Sequence, residues 1–138
     1  MSGLAFFDTN VLAYADDASA PKKREVAIEL FAGRLRDGTA VISLQVLQEY
    51  FVTATRKLGL TAELAQRKVE VMARARVVRV DASDVIAAIE LHRLTQISFW
   101  DALIVQAARL AGAALLYSED MAGGEVIGGV RVVNPFAE

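Results

Sequence analysis

Short, uninterrupted apolar runs alternate along this chain with longer stretches in which apolar residues recur every three or four positions. The runs are Leu4-Ala5-Phe6-Phe7, Ala40-Val41-Ile42, Val77-Val78-Arg79-Val80, Ala113-Ala114-Leu115-Leu116-Tyr117 and Val130-Arg131-Val132-Val133. The first is continuous rather than alternating, as a strand covered on both faces requires. Helical spacing links Val26, Ala27, Leu30, Phe31 and Leu35, and again Val46, Leu47, Tyr50, Phe51, Ala54 and Leu58. Segments 62–75, 84–95 and 99–111 also read as helices. Pro21 and Gly38 bound the first long helix, and Gly59 followed by Thr61 marks one helix ending and the next being capped. Gly123, Gly124, Gly128 and Gly129 fall in a turn-rich stretch before the last run. Strands separated by crossover helices predict an α/β fold with a mainly parallel sheet.

Composition narrows the chemistry. At 138 residues, 54% of them hydrophobic, the chain is read as one domain spanning 1–138 with a sizeable core. It has no cysteine and one histidine, His92, which excludes disulfides, thiolate zinc sites, iron–sulfur clusters and a cysteine nucleophile. The apolar start stops at Asp8 without a basic leader, and the longest apolar stretch, 102–117, is broken by Gln106 and Arg109. The expectation is a soluble, cytoplasmic protein with no membrane partner. Net charge is −2, yet residues 22–79 hold 12 of the 15 Lys and Arg and only 6 of the 17 acids. The middle is basic and the ends are acidic.

Four carboxylates stand where structure alone does not demand them. Asp8 directly follows the first apolar run, at the edge where parallel sheets gather ligands; it equally suits the N-cap of a helix starting at Thr9 or Asn10. Asp120, in Tyr117-Ser118-Glu119-Asp120, follows another run, and turn chemistry would also explain it. Asp101 opens the most apolar helix on one face with Ile104, Val105 and Ala108, although Ser98 three residues earlier forms a capping-box pattern with it. Glu49 lies roughly 60° around its helix from Val46, on the border of the apolar stripe, and reads by itself as a solvated residue. Taken together, all four can meet at one sheet edge. Like charges gathered there raise one another's pKa and oppose folding unless a cation neutralises them, and oxygen-only donors favour Mg²⁺ or Mn²⁺ over zinc.

Phe7-Asp8-Thr9-Asn10-Val11-Leu12, Glu49, Trp100-Asp101-Ala102-Leu103-Ile104, Leu116-Tyr117-Ser118-Glu119-Asp120-Met121 and Val133-Asn134-Pro135-Phe136, in this order and spacing, resemble a PIN-domain ribonuclease. More narrowly, they are similar to the VapC toxins of type II toxin–antitoxin systems. The resemblance runs from residue 4 to residue 136. It implies a three-layer α/β/α sandwich and Mg²⁺- or Mn²⁺-dependent endonucleolytic cleavage of RNA. It places Asp8, Glu49, Asp101 and Asp120 as an acidic quartet with Asp8 and Asp101 as direct metal ligands, and Thr9, Asn10 and Ser118 as supporting polar residues. Glu119 is an extra acid beside Asp120, and either can face the site. The implied partners are a cognate antitoxin that blocks the site and a second copy of this chain.

The basic middle then becomes a candidate phosphate-tracking surface, though most of its residues, Lys22, Lys23 and Arg24 among them, suit solvated helix faces. Trp100 is expected to pack into the core at a helix start rather than to stack on a base, and His92 to lie exposed without a role. Three alternatives remain: a PIN-type RNA-processing nuclease that is not a toxin, a catalytically dead binding module, and a receiver-like phosphoacceptor module. The receiver-like module needs a lysine after a late strand, whereas the last lysine is Lys68. Nucleotide binding lacks a Walker A run, and serine hydrolysis lacks a Gly-x-Ser-x-Gly turn.

Overall fold

The computed structural model describes residues 3–121 and 123–137. Its elements are β1 (Ala5–Phe7), α1 (Thr9–Tyr14), α2 (Pro21–Asp37), β2 (Ala40–Ser43), α3 (Leu44–Arg56), α4 (Ala62–Met72), β3 (Arg76–Val78), α5 (Ala82–Thr95), α6 (Phe99–Ala111), β4 (Leu115–Tyr117), β5 (Val126–Ile127) and β6 (Val130–Val133). The six strands form one sheet in the order β3-β2-β1-β4-β6-β5. All pairings are parallel except β5 with β6, so the expected mainly parallel α/β architecture is what the chain adopts.

The continuous apolar character of β1 and β2 follows from their central position. Every residue of both strands is buried, with helices supplying the cover that a parallel sheet needs on each face. α6 carries six buried residues, Ala102, Leu103, Ile104, Val105, Ala107 and Ala108, and is the main apolar face laid on the sheet. Side-chain caps set the helix starts: Asp8, Ser43, Thr61, Asp81 and Ser98 each accept a backbone N–H at the first turn of α1, α3, α4, α5 and α6. At α5 the reciprocal Asp81–Asp84 capping box starts the helix two residues before the expected 84, because Ala82 and Ser83 complete its first turn.

Three strand expectations shift. The run 77–80 yields only Arg76–Val78, since β3 is the sheet's edge and Asp81 already begins the next cap. The run 113–117 shortens to Leu115–Tyr117 because left-handed Gly112 ends α6 at a backbone φ of 74°. The turn-rich stretch contains an antiparallel hairpin in which Ile127 faces Val130 and Gly128 and Gly129 turn at φ 58° and 85°, values that favour glycine.

The two glycines are not equivalent. A Cβ on Gly128 would stand 3.1 Å from Arg109 Cδ and 3.5 Å from Val105 Cγ1, whereas one on Gly129 meets open space. Both changes to alanine incur left-handed strain of about 1–2 kcal/mol. Gly128→Ala must also displace the Arg109 stem, so urea unfolding should show it as the more destabilising of the two; the reverse order would contradict this packing.

Candidate active site

β1 and β4 are neighbours with Phe7 opposite Tyr117, so the next residues of each strand, Asp8 and Ser118, leave the sheet side by side at its carboxyl edge. The Asp8 backbone N–H donates to the Tyr117 carbonyl (2.9 Å). The Asp8 side chain, 7% exposed, accepts from the Thr9 backbone N–H at Oδ1 and from the Ser118 hydroxyl at Oδ2, both at 2.8 Å. Asp8 is therefore the helix cap, and the cap geometry leaves its second oxygen for Ser118.

The other acids arrive from separate elements. α3 packs against α1 and brings Glu49 within reach of Thr9, whose hydroxyl donates to Glu49 Oε1 (2.6 Å). The Gln45 amide nitrogen, one helical turn earlier, donates to Glu49 Oε2 (3.1 Å) and to the Trp100 carbonyl (3.5 Å). Asp101 sits in the first turn of α6, half-buried, with its backbone N–H on the Ser98 hydroxyl (3.1 Å). Asp120 is exposed and accepts from the Asn10 amide (3.1 Å), which also reaches Ser118 Oγ (3.5 Å), while Asn10 Oδ1 accepts the Glu119 N–H (3.2 Å). One open cavity of about 690 Å³ is lined by all four acids together with Thr9 and Asn10.

Glu119 and Asp120 both line this cavity but differ in their partners. Glu119 accepts from the Tyr14 hydroxyl (2.7 Å) and from Lys23 (2.5 Å), and although burial opposes it, these two donors hold its carboxyl below the usual range. Glu119 is thus already neutralised, and Lys23 is withdrawn from the set of free cations at the start of α2. Lys68 is likewise paired, with Asp16 (3.0 Å). His92 is exposed, as expected.

One sequence expectation needs amendment, and one residue had none. Trp100 is 61% exposed rather than packed in the core: it lies in the first turn of α6, whose buried residues begin only at Ala102. Gln45 was not singled out as a site residue, although its position four residues before Glu49 on one helix face was a usable signal.

The electrostatics follow from crowding. Burial, aided by the charges of Asp101 and Glu49 and opposed by Ser118 and the Thr9 N–H, pushes the Asp8 carboxyl up to about 6. Asp101 is also raised, first by burial and then by Asp120 and Glu49, with Ser98 opposing. Among the described residues, no three such side chains are gathered closely enough to hold a metal ion as they stand. The donor chemistry nonetheless fits a hard divalent cation: four carboxylates, no nitrogen or sulfur ligand, and two of the acids disfavoured in their charged form by burial and by neighbouring acids.

Solved structures with the same architecture include the VapC20 toxin of Mycobacterium tuberculosis, described as cleaving the sarcin–ricin loop, at 27% identity and a TM-score of 0.68 over 84% of this chain and 89% of that one. A toxin–antitoxin complex from Klebsiella pneumoniae, at 21% identity and TM-score 0.68, covers 96% and 98% of the two chains. A DNA-bound VapBC complex from Salmonella typhimurium, at 20% and 0.69, covers 95% and 97%. No protein of curated function matches in sequence. The PIN domain model matches residues 5–122, which takes in all four acids and every strand but the last two, and the chain belongs to the PIN-domain family.

Proposed function

We propose that this chain is a divalent-metal-dependent endoribonuclease acting as the toxin of a type II toxin–antitoxin pair. The observation that carries the reading is the convergence of Asp8, Glu49, Asp101 and Asp120 on one cavity, with Asp8 buried and its charge disfavoured. The likeness to a toxin described as cleaving the sarcin–ricin loop supports RNA as substrate, and the toxin–antitoxin complexes among the similar structures support a cognate antitoxin as partner; a second copy of the chain is part of the same proposal.

In this reading Asp8 and Asp101 hold the ion, Mg²⁺ or Mn²⁺, and Glu49 and Asp120 complete the acidic set. A bound ion supplies Lewis acidity to the phosphodiester under attack. The chain's own residues do the positioning. Ser118 and the Thr9 N–H fix both oxygens of Asp8, Thr9 and Gln45 fix both oxygens of Glu49, and Asn10 ties Asp120 to the strand exit after β4. Asp8, Glu49 and Asp120 are thus each held by neutral donors, which do not compete for the ion.

The receiver-like alternative loses ground because Lys68, on α4, is engaged with Asp16, and the family model that matches this chain is the PIN domain's. The RNA-processing alternative shares every site residue, and growth arrest on expression separates it from the toxin. The test is to sequence RNA ends produced by purified protein with Mn²⁺, with excess EDTA and Asp8→Asn as controls. Discrete new ends that vanish in both controls are expected; ends unaffected by EDTA would overturn the metal-dependent reading.

A further inference from the structure

Beside the acidic cavity lies a second cleft of about 250 Å³, lined among others by Leu44, Gln45, Gln48, Val78, Val80 and Trp100, with no ionisable side chain in its wall. Its position is set by the fold. α3 starts where β2 ends, β3 supplies the edge of the sheet, and the first turn of α6 brings Trp100 to the same cleft. Gln48 is exposed and lines both cavities, so the cleft opens beside the acids rather than on a separate face. Trp100 immediately precedes Asp101, and its ring meets Phe99 edge-on at 5.1 Å, which orients it from one side. The Gln45 amide nitrogen is committed to Glu49 and to the Trp100 carbonyl, leaving its amide oxygen as the remaining hydrogen-bonding atom.

We infer that this cleft is a nucleobase subsite: it takes the base of a nucleotide flanking the scissile phosphate, stacked on Trp100 with Gln45 and Gln48 at its edge. The inference rests on the ribonuclease reading and deepens it. The chemistry of the wall favours this occupant. An uncharged lining suits neither a phosphate nor a basic peptide, whereas a neutral planar ring with donors and acceptors on its rim matches an aromatic face flanked by primary amides. Single-stranded RNA is recognised in this way, by stacking and by hydrogen bonds to exposed base edges, and glutamine amides pair with base edges. The scissile phosphate belongs at the acids, so a base held one residue away from Asp101 would set the register of cutting.

Trp100 is the only tryptophan, so its fluorescence reports on this cleft alone. Short single-stranded RNA spanning a mapped cut is titrated into Asp8→Asn protein, intact or with an abasic nucleotide on either side of the cut. Quenching by the intact strand that is lost with one abasic strand is expected. In cleavage assays of the otherwise unaltered protein, Trp100→Ala should raise KM by about 5- to 100-fold, the range of base–aromatic stacking, with kcat little changed. Trp100→Phe should recover most of the loss, and Gln48→Ala should relax the sequence preference at the cut. Unquenched fluorescence together with unchanged KM would remove the subsite while leaving the nuclease intact. Base-dependent quenching without any cleavage would do the opposite. A fall from dimer to monomer in Trp100→Ala by sedimentation, with KM unchanged, would assign the cleft to a second copy of the chain and overturn the inference.

Discussion

Asp8→Asn is expected to cost a thousandfold or more in RNA cleavage while making the metal-free protein harder to unfold. The loss of activity follows from removing a charged ligand, since Lewis-acid stabilisation is worth several kcal/mol and each 1.36 kcal/mol is about tenfold in rate. The gain in stability follows from burial. Burial pushes the folded carboxyl up to about 6 from its ordinary 3.8, so ionising it at neutral pH costs on the order of 3 kcal/mol. Because the folded value is raised, this group's contribution is fully present below about pH 4 and is lost as pH rises through about 6. Thermal melts in EDTA should therefore coincide for the two proteins near pH 4 and separate as pH approaches 7, the asparagine form being the more stable. Asparagine keeps the cap, being as good an N-cap as aspartate, and its amide can donate to Ser118 Oγ, which also accepts. Millimolar Mn²⁺ should raise the melting temperature of the unaltered protein only. A destabilised Asp8→Asn at pH 7 would show that the acid is not held against its charge.

How much of this was legible in the sequence depends on how local each cause is. The boundaries of α6, 99–111, and the strand character of β1 and β2 follow from apolar spacing and capping residues, which are properties of neighbouring positions. The four acids were legible as a group because three of them sit at or near element junctions, where topology alone places them at the sheet's carboxyl edge. What escaped depends on contacts between distant segments. The turning of Glu119 toward Lys23 involves residues 96 positions apart. The exposure of Trp100 depends on which side of the first turn of α6 the rest of the chain covers, which apolar spacing at a helix start does not settle. The β5–β6 hairpin was hidden because Val126–Ile127 is a two-residue strand between glycines, too short for any periodicity, although the adjacent Gly128-Gly129 pair is itself a hairpin signal. Gln45 was overlooked because a polar residue one turn from Glu49 has no meaning until α6 supplies the Trp100 carbonyl beside it.

Asp16→Ala is expected to destabilise the protein by about 3 kcal/mol in urea unfolding and to lower cleavage without touching the acidic site. Asp16 lies just past the end of α1, in the segment leading to α2. Its Oδ2 accepts from the hydroxyl of Tyr50 on α3 at 2.5 Å, and its Oδ1 pairs with Lys68 on α4 at 3.0 Å. Tyr50 is fully buried and Asp16's side chain is 9% exposed, so this carboxylate joins three segments inside the protein. A hydrogen bond to a charged acceptor is worth about 1.5–3 kcal/mol, and a buried hydroxyl left without a partner costs about 1–3 kcal/mol more. Tyr50→Phe should cost less, about 1.5 kcal/mol, because it removes the donor and leaves Asp16 its lysine. Burial first, and then Asp16, push the Tyr50 phenol far above its usual value; stability from this group is present below pH 10 and falls above it, a loss absent from Tyr50→Phe. The effect on cleavage is transmitted by geometry: α1 carries Thr9, α3 carries Glu49, and Asp16 fastens the far end of α1 to α3. Loosening that end frees the Thr9–Glu49 hydrogen bond from its fixed length, so kcat should fall several-fold in Asp16→Ala at temperatures where the protein remains folded. Unfolding free energies for Asp16→Ala, Tyr50→Phe and the double variant form a cycle, and additivity within about 0.5 kcal/mol would show that the two side chains do not act as one unit.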